Sequence, residues 1–562
     1  MTRPPRFPAR AGTTGLLACV LSSTLLVAAC GDDDDDAPVT PPTATPQAAC
    51  SQLQGLAINA ASIGTPSNGG TVQTATYVEA AASGNANGAY CAVVGIVRPA
   101  DTTAPNLTFQ VNLPTDWNNR ALQMGGGGYD GTLVTGTGAF TAQPANVENP
   151  LKQGYVTLGS DGGHQTSGGS FDGTFALNAE ALLTYGQLSV KKTHDAAIAV
   201  IQARYGAKPQ QFYFIGGSQG GHEALDAAAR YPQDYDGVVA NYPAYNITLL
   251  QQASLNVGRA LYGNGGAGWI NPAKKTLLIN TVYNTCDPLD GVTDCVISDV
   301  AGCNAAFGIT GVQTTLRCPG GADTGDTCLS DAQIAAVAQI ASPYSLGFDV
   351  AGQSSFPRWP LLEGAKFDVS SFGTSATPSE PPAGTDALLY AVGAAHVKYF
   401  VTQDPSFNAL TFDPAAYRSR LEQLGNITDV TAVSLDAFRN KGGKVILTHG
   451  TADDFISPHN TEAYYARQLS AFGQTTLDTF LRFYEVPGWG HGFGPFNAGW
   501  DGLGVLDRWV RQAQAPGTLT ATDKNPGTSR TRPMCRYPAW PQFTGASGAS
   551  PDDAANFTCV TS

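Results

Sequence analysis

The stretch FYFIGGSQGGHEALDAAARYP, residues 212–232, constrains the fold more than any other part of the sequence. Its first four residues are large, apolar and typical of a β-strand, whereas the alanine-rich part after the glycines is typical of a helix. Ser218 lies between them in the pattern G-x-S-x-G. Few residues other than glycine tolerate so tight a turn, which exposes the hydroxyl at the carboxyl end of a sheet. The stretch predicts a nucleophilic serine in an α/β fold, and a purely structural turn is the alternative.

Further strand-like runs end at glycines or follow them. They are 121–124, 155–158, 238–240, 443–447 and 480–486, and a long helical pattern over 176–206 separates two of them. Strands that alternate with helices indicate a parallel sheet covered by helices. Residues 246–439 interrupt this rhythm and are richer in Gly, Ser, Thr, Asp and Cys. The sequence therefore predicts an α/β-hydrolase fold, with a catalytic domain over 49–245 and 440–562 and an inserted lid domain over 246–439.

A nucleophilic serine needs a base, and the base needs an acid that orients it. In this fold the acid and then the histidine follow the serine, each after a later strand. KVILTHGTAD places Asp453 after one such strand, and FYEVPGWGHG places His491 after the next. His459 follows Asp453 too closely to lie after a separate strand, while Asp454 is the alternative acid. We expect Ser218, His491 and Asp453 to form a catalytic triad.

An ester or amide substrate would develop an oxyanion that needs two N–H donors. One is the backbone N–H of Gln219, which opens the helix after the serine. The second should come from the loop after an early strand, which fits QMGGGGY at 123–129. We favour Gly127 as that donor, with Gly126 as the alternative. A phosphate-binding loop is disfavoured because neither the P-loop Lys-Ser/Thr nor dinucleotide-binding spacing is present.

The predicted lid contains an acidic stretch, CDPLDGVTDCVI at 286–297. It has three carboxylates within eight residues and a glycine for the bend, and such hard oxygen ligands suit Ca²⁺. The spacing is not that of an EF-hand, and an acidic surface turn is the alternative. Because the stretch lies in the insertion, calcium there would stiffen the lid and take no part in the chemistry.

The amino terminus predicts export from the cytoplasm. Three arginines precede an apolar run, and LVAAC then places small residues before Cys30, so residues 1–30 resemble a lipoprotein-type signal peptide. An ordinary secretory signal is the alternative. Residues 31–48, with five aspartates and many prolines and threonines, are typical of a disordered tether. The net charge of −14 disfavours nucleic acid and anionic membranes as partners, leaving a lipid on Cys30 as the expected membrane contact.

Eleven cysteines are present, and none forms a C-x-x-C pair. Without Cys19 of the signal and Cys30, nine remain, and in an oxidising compartment they are expected to form disulfides with one left over. Pairing of nearest neighbours gives Cys50–Cys91, Cys318–Cys328 and Cys535–Cys559, plus one bridge among Cys286, Cys295 and Cys303.

Eight motifs in order carry a resemblance to a known family: GGGGYDG, SDGGH, GGSQGG, CDPLDGVTDC, CLSDAQIAAVAQI, HGTAD, VPGWGHG and RPMCRYP. With them the chain resembles the tannase and feruloyl esterase family over nearly all of its mature length. The resemblance implies a serine esterase that hydrolyses esters of aromatic acids, of the feruloyl, galloyl or terephthalate monoester type. It assigns Ser218 as nucleophile, His491 as base and Asp453 as acid.

The same resemblance implies a calcium site and a set of disulfides. Its calcium ligands would be the side chains of Asp287, Asp290 and Asp294 with the carbonyls of Val292 and Val296. Its disulfides would be Cys50–Cys91, Cys286–Cys303, Cys318–Cys328 and Cys535–Cys559. Cys295 would remain unpaired, at a position where the family usually has glycine.

The chain departs from the family beside the triad. The family usually has a cysteine directly before the serine and another directly after the histidine, joined in a disulfide. Here these positions are Gly217 and Gly492. We therefore expect a triad held by hydrogen bonds and packing, with looser catalytic loops.

The lid would also contact the substrate. Its aromatic residues, Phe400 among them, are candidates to stack on an aromatic acyl group, and His396 is a candidate partner for a substrate carboxylate. A small core within the lid is the alternative for the aromatic residues. Two other functions are compatible with the sequence: a serine peptidase of the same fold, and a non-catalytic binding protein anchored at the cell surface.

Overall fold

The computed structural model describes residues 45–166, 168–431 and 434–561, which belong to one compact unit that begins at Thr45. The expected signal peptide, Cys30 and most of the tether lie outside the described residues. Within these three ranges no helix combines the length and the hydropathy needed to cross a membrane.

The first part of the described chain contributes eight strands and four helices. They are α1 (Pro46–Ser51), β1 (Ala57–Ile58), β2 (Gly70–Val78), β3 (Tyr90–Val97), β4 (Leu107–Pro114), β5 (Arg120–Met124), β6 (Val156–Ser160), α2 (Ala179–Leu183), α3 (Ser189–Tyr205), β7 (Gln211–Gly217), α4 (Gln219–Arg230) and β8 (Gly237–Asn241).

Mostly helical chain follows β8 before the next strand of the main sheet. Its elements are α5 (Ile247–Gly266), α6 (Pro272–Cys286), α7 (Val300–Ala306), α8 (Ile309–Leu316), α9 (Asp331–Ile340), β9 (Tyr344–Val350), β10 (Gln353–Phe356), α10 (Leu388–Ala395), α11 (Arg418–Thr428) and α12 (Asp436–Asn440). This segment is called the insertion below.

The chain then returns to the main sheet and ends in short strands. These elements are β11 (Lys444–Gly450), α13 (Pro458–Phe472), α14 (Gln474–Leu477), β12 (Leu481–Val486), β13 (Ala498–Gly499), α15 (Gly502–Gln512), β14 (Leu519–Asp523), β15 (Thr531–Met534), β16 (Trp540–Phe543) and β17 (Phe557–Val560).

The main sheet has ten strands in the order β1-β2-β3-β4-β6-β5-β7-β8-β11-β12. From β6 to β12 all neighbours are parallel, as predicted, so the carboxyl ends of β5, β7, β8, β11 and β12 meet at one edge. The first four strands pair antiparallel, and β4 also pairs antiparallel with β6. The α/β architecture is confirmed, and the sheet is mixed because of this amino-terminal part.

The helical pattern predicted over 176–206 is broken in the structure. A 3-10 turn at Thr174–Leu177 precedes α2, and a π-helical turn at Thr184–Leu188 separates α2 from α3. The π turn brings Gly186 against α11, where a methyl group on Gly186 would lie 2.8 Å from Cγ2 of Ile427. The interruption therefore seats the insertion on the sheet domain.

Buried apolar residues form three clusters. One lies on the face of the sheet covered by α3, α4 and α13, and a second lies on the other face, with Trp489, Trp500 and α15. The third is the core of the insertion, and it also includes Tyr129 and Tyr185. These two tyrosines come from the sheet domain, so the core of the insertion continues to the edge where the predicted catalytic residues lie.

The described residues contain four disulfides, and these are the four pairs that the family resemblance implies: Cys50–Cys91, Cys286–Cys303, Cys318–Cys328 and Cys535–Cys559. Cys295 is exposed and unpaired. The four disulfides indicate an oxidising, extracytoplasmic compartment.

Candidate active site

Ser218 lies at a sharp turn between β7 and α4. Its backbone has φ 61° and ψ −120°, which non-glycine residues rarely adopt. The glycines around it leave no room for a side chain. A methyl group on Gly216 would lie 2.3 Å from the carbonyl oxygen of Gly220, and one on Gly221 would lie 2.5 Å from the carbonyl oxygen of Asn241. The turn thus presents a half-buried serine hydroxyl at the carboxyl edge of the parallel strands.

Asp453 and His491 meet beyond two neighbouring strands, β11 and β12. Nδ1 of His491 lies 2.9 Å from Oδ2 of Asp453, while Oδ1 accepts hydrogen bonds from the N–H groups of Phe455 and Ile456 at 2.8 and 2.9 Å. Burial alone would raise the pKa of the Asp453 carboxyl, but the imidazoles of His491 and His449 outweigh it and hold this pKa well below its usual range. Asp453 is therefore an ionised, fixed acceptor for the imidazole.

His449 is a partner of Asp453 that the sequence analysis missed. Its Nε2 lies 3.3 Å from Oδ2 of Asp453 and 2.9 Å from the carbonyl oxygen of Ile456, and its Nδ1 lies 2.8 Å from Oγ1 of Thr461. The residue is completely buried at the end of β11. The motif HGTAD, in which the histidine precedes the aspartate by four residues, was the sequence feature that could have indicated this contact.

Asp454, the alternative acid, and His459, the other histidine that follows Asp453, have different hydrogen-bond partners. The Asp454 carboxylate accepts the N–H groups of Val369 and Ser370 and makes no hydrogen bond to His491. Burial, with the adjacent charge of Asp453, raises the pKa of Asp454 to about 7. Nε2 of His459 lies 2.6 Å from a carboxylate oxygen of Glu363, and His459 makes no hydrogen bond to Asp453.

The glycine loop after β5 contains both candidate N–H donors for the oxyanion, and their hydrogen bonds differ. The N–H of Gly126 donates to Oε2 of Glu223 at 2.8 Å, whereas the exposed Gly127 donates no hydrogen bond to any described residue. The N–H of Gly220 donates to the carbonyl oxygen of Gly126 at 3.1 Å, which ties the loop to α4. Gly127 is thus available for a substrate and Gly126 is not. Glu223, whose pKa burial raises to about 7, was missed by the sequence analysis.

Ser218 and Gln219 line a small cavity of about 20 Å³. Its aromatic walls are Tyr129, Phe171, Tyr185 and Phe455. The ring of Phe455 packs 5.0 Å from that of His491, so one wall also contacts the histidine. A space of this volume holds about one water molecule. An aromatic ring would enter it only after side chains of the insertion or of the loops move apart.

His396 and Phe400 do not line this cavity. Both are completely buried in a π-helical turn, His396–Val401, where their rings lie 5.0 Å apart. Phe400 packs 5.1 Å from Tyr129 and so supports a cavity wall from behind. Burial lowers the pKa of His396 to about 3. The imidazole is therefore neutral at pH 7 and supplies no positive charge to a substrate carboxylate.

The acidic stretch forms a tight loop after α6, and its carboxylates point inward. Asp287 accepts the N–H groups of residues 294 and 295, and Asp290 accepts those of residues 292 and 298. Both are buried, and neither has a basic partner in the described part of the chain, while Asp294 pairs with Arg532. Burial raises the pKa of Asp290 to about 6, as expected for a negative charge without a cation. Carboxylate and carbonyl oxygens are the donor types that Ca²⁺ prefers, and in this structure the three carboxylates do not lie within 4.8 Å of one another.

The acidic loop, residues 286–297, contacts the histidine loop, which is the segment 487–497 between β12 and β13 that carries His491. A methyl group on Gly488, three residues before His491, would lie 3.1 Å from the side chain of Val296. Arg530 hydrogen-bonds the carbonyl oxygens of Asp294 and Pro495 and pairs with Asp523 at 2.7 Å. One guanidinium group therefore joins the insertion, the histidine loop and the carboxyl-terminal strands.

Comparison with known proteins adds three relationships. Residues 91–560 match the family model described as tannase and feruloyl esterase. An uncharacterized esterase of Agrobacterium fabrum is 36% identical over 535 residues, covering 93% of this chain and 95% of that protein. Mono(2-hydroxyethyl) terephthalate hydrolase of Piscinibacter sakaiensis is 29% identical over 557 residues, covering 88% and 89%.

The fold has a counterpart among solved structures. The crystal structure of feruloyl esterase B from Aspergillus oryzae superposes with a TM-score of 0.73 at 22% identity, covering 92% of this chain and 100% of that one. The likeness establishes the α/β-hydrolase-like fold of this chain.

Proposed function

Because the chain belongs to the tannase and feruloyl esterase family and is a carboxylic ester hydrolase, we propose that it cleaves esters of aromatic acids through a Ser218–His491–Asp453 triad. The observation that carries this proposal is the cavity that Ser218 shares with four aromatic side chains, one of which packs against His491. Aromatic walls favour a planar acyl group of the feruloyl, galloyl or terephthalate type.

In the first half of the reaction, Oγ of Ser218 attacks the ester carbonyl carbon and its proton passes to Nε2 of His491. Asp453 accepts the Nδ1–H of His491, which fixes the tautomer and stabilises the imidazolium. The carbonyl oxygen becomes an oxyanion that the N–H groups of Gln219 and Gly127 bind. The absence of any other acceptor for the N–H of Gly127 among the described residues supports this role.

In the second half, His491 gives its proton to the departing alcohol oxygen and the acyl group remains on Ser218. Water then loses a proton to His491 and attacks the acyl carbon, and the bond to Oγ breaks as the serine recovers its proton. The products are an alcohol and an aromatic carboxylic acid.

A panel of substrates tests the proposal. Methyl ferulate, methyl gallate, a terephthalate monoester, p-nitrophenyl acetate and a peptide amide are each incubated with the parent and with Ser218→Ala. We expect turnover of at least one aromatic ester by the parent and a loss of about 10⁴-fold or more in the variant. Ester hydrolysis that survives in Ser218→Ala would reject the nucleophile, and cleavage of the amide alone would favour a serine peptidase. A parent without turnover would favour a binding protein, against the family relationship.

We also propose that the acidic loop binds one Ca²⁺ as a structural ion. The side chains of Asp287, Asp290 and Asp294 and the carbonyls of Val292 and Val296 would hold it, and its charge would compensate the buried carboxylates. When bound, the ion supplies charge and stiffness and takes no part in proton transfer. The buried, cation-free carboxylates of Asp287 and Asp290 support the assignment.

Thermal unfolding tests the calcium proposal without an activity assay. Melting temperature is measured after treatment with EDTA and after addition of CaCl₂ or MgCl₂. We expect CaCl₂ to raise it in the parent and to have no effect in Asp290→Asn, while the exposed Asp326→Asn in the same insertion responds like the parent. A parent whose melting temperature does not depend on CaCl₂ would contradict the site.

The expected lipid anchor at Cys30 remains a proposal about residues outside the described ranges. It is supported by the motif LVAAC alone, and the disulfides support only the extracytoplasmic compartment. Fractionation of cells that express the parent or Cys30→Ser tests it: we expect the parent with the membranes and the variant released. Identical distributions would favour an ordinary secretory signal.

A further inference from the structure

Tyr242 is a buried residue that follows β8 directly and lies beside the serine turn. Its N–H donates to the carbonyl oxygen of Thr448 at 2.7 Å, and two residues later the N–H of Ala244 donates to the carbonyl oxygen of Ser218 at 3.1 Å. Its φ of 34° is positive, which is unusual for a bulky residue. Such a conformation persists only where the surroundings hold it, and it is commonest near functional sites.

The ring of Tyr242 packs against the histidine loop. Its centroid lies 4.6 Å from that of His491 with an angle of 52° between the planes, and 5.2 Å from that of Trp489 with an angle of 72°. These are the separations and tilts of favourable aromatic pairs. Tyr242 therefore contacts the serine turn through its backbone segment and the histidine through its ring.

The same ring fills the space between the two glycines that flank the catalytic residues. A methyl group on Gly217 would lie 2.8 Å from Cε2 and 2.9 Å from Cζ of Tyr242. A methyl group on Gly492 would lie 3.6 Å from the tyrosine Oη. A side chain at 217 would collide with this ring and with Cγ2 of Thr141, which would lie 2.7 Å from the methyl group, so glycine at 217 leaves room for the tyrosine ring.

We propose that Tyr242 is a positioning residue that sets the separation of the serine turn and the histidine loop by packing between them. The proposal rests on the proposed function of Ser218 and His491. The histidine loop contains Gly488, Gly490, Gly492 and Gly494, and such a segment has wide backbone freedom unless side chains restrict it. The ring supplies that restriction and fixes the imidazole of His491 relative to the serine turn.

Steady-state kinetics of Tyr242→Ala and Tyr242→Phe test the proposal. Misplacement of a catalytic group by about 1 Å costs about 100-fold in rate. We expect Tyr242→Ala to lower kcat about 10- to 100-fold, with KM changed by less than about threefold, at a temperature where each variant is folded. Tyr242→Phe should keep at least about half of the parental kcat, because the ring and not the hydroxyl lies against Gly217 and His491.

Tyr262→Ala is the matched control. Tyr262 is also a buried tyrosine, but it packs in the insertion against Tyr390, away from the triad. We expect it to lower the melting temperature as Tyr242→Ala does and to keep kcat within about threefold of the parent. This comparison separates loss of position from loss of stability.

Three outcomes would overturn the proposal: parental kcat in Tyr242→Ala, an equal loss in Tyr242→Phe, or an equal loss in Tyr262→Ala. None of them bears on the nucleophile, which Ser218→Ala tests separately. If ester hydrolysis survives in Ser218→Ala, the proposed function fails. If it is lost there while Tyr242→Ala keeps the parental kcat, only the positioning role fails.

Discussion

The two neighbouring aspartates after β11, Asp453 and Asp454, have different hydrogen-bond partners. Asp453 accepts the imidazole of His491, whereas the Asp454 carboxylate accepts backbone N–H groups of the insertion. We expect Asp453→Asn to lower kcat by about 10³- to 10⁴-fold, because the amide favours the wrong imidazole tautomer.

Asp454→Asn is the control for this prediction and should keep kcat within about fivefold, measured with an ester from the substrate panel. Comparable losses in both variants would mean that the two carboxylates act as one unit. A larger loss in Asp454→Asn would reassign the acid of the triad.

Cys295 occupies a backbone conformation suited to glycine. Its φ is 67°, in the left-handed region that costs a residue with a side chain about 1 kcal/mol. We expect Cys295→Gly to raise the free energy of unfolding by about 0.5–1 kcal/mol, measured by denaturant titration with calcium present.

Cys295→Ser is the matched control, since it removes the thiol and keeps the strained backbone. It should be no more stable than the parent. Equal stabilisation by serine and glycine would attribute the effect to the thiol and contradict the backbone explanation.

At the level of residues, the sequence was most informative where a motif fixes the order of elements. Gly-x-Ser-x-Gly and the ends of two later strands were enough to select Ser218, Asp453 and His491, and the structure brings Asp453 and His491 together. Tyr242 could not be found in this way. Its proposed role depends on the packing of its ring beside Gly217 and His491, which are distant from it in the sequence.

Among the secondary-structure elements, α13 is joined to the insertion by a buried ionic network. His459 on α13 lies 2.6 Å from Glu363 of the insertion and 2.9 Å from Glu462. Burial would lower the pKa of His459, but the two carboxylates outweigh it and raise the pKa to about 9. The charged imidazole therefore helps to hold the insertion on the sheet domain.

This network predicts a pH dependence of stability. Since the folded pKa of His459 exceeds the unfolded value of about 6.5, its contribution is complete below pH 6.5 and is lost as the pH rises through 9. We expect the fall in the free energy of unfolding between pH 6 and pH 9.5 to be about 3 kcal/mol smaller in His459→Gln than in the parent. Denaturant titrations at both pH values measure it, and identical falls would contradict the network.

Elements were predictable from sequence to different degrees. The parallel strands have apolar runs with a glycine within two residues of one end, so all of them were recognised. The strands β2, β3 and β4 lack following helices. The burial of β3 alternates, but its sequence YCAVVGIV has no alternating pattern of polar and apolar residues. In β4 the polar residues Gln110 and Asn112 are themselves buried, so its sequence does not mark a core strand either. The short helices of the insertion were hidden by a composition rich in Gly, Ser and Thr.

On the scale of the whole molecule, Arg530 connects three distant segments. It hydrogen-bonds the acidic loop and the histidine loop and pairs with Asp523. We expect Arg530→Gln to lower kcat about 10-fold, because the histidine loop loses its outer support. Arg536→Gln is the control, since Arg536 pairs with the more remote Asp478. Equal kcat values in the two variants, measured well below their melting temperatures, would contradict the connection.

The domain boundaries near 246 and 440 stay a prediction. The insertion does begin after β8 and end before β11, but its core includes Tyr129 and Tyr185 of the sheet domain. A contact of this kind joins residues far apart in the chain, and the periodicity of the sequence therefore does not predict it.

The bracing of the histidine loop by Arg530 has a consequence for inactivation by heat. The loop takes its outer support from Arg530, which pairs with Asp523 at the end of β14. Local opening of these short strands would release His491 while the main sheet stays folded. We therefore expect ester hydrolysis to fall at a lower temperature than the one at which the main sheet melts.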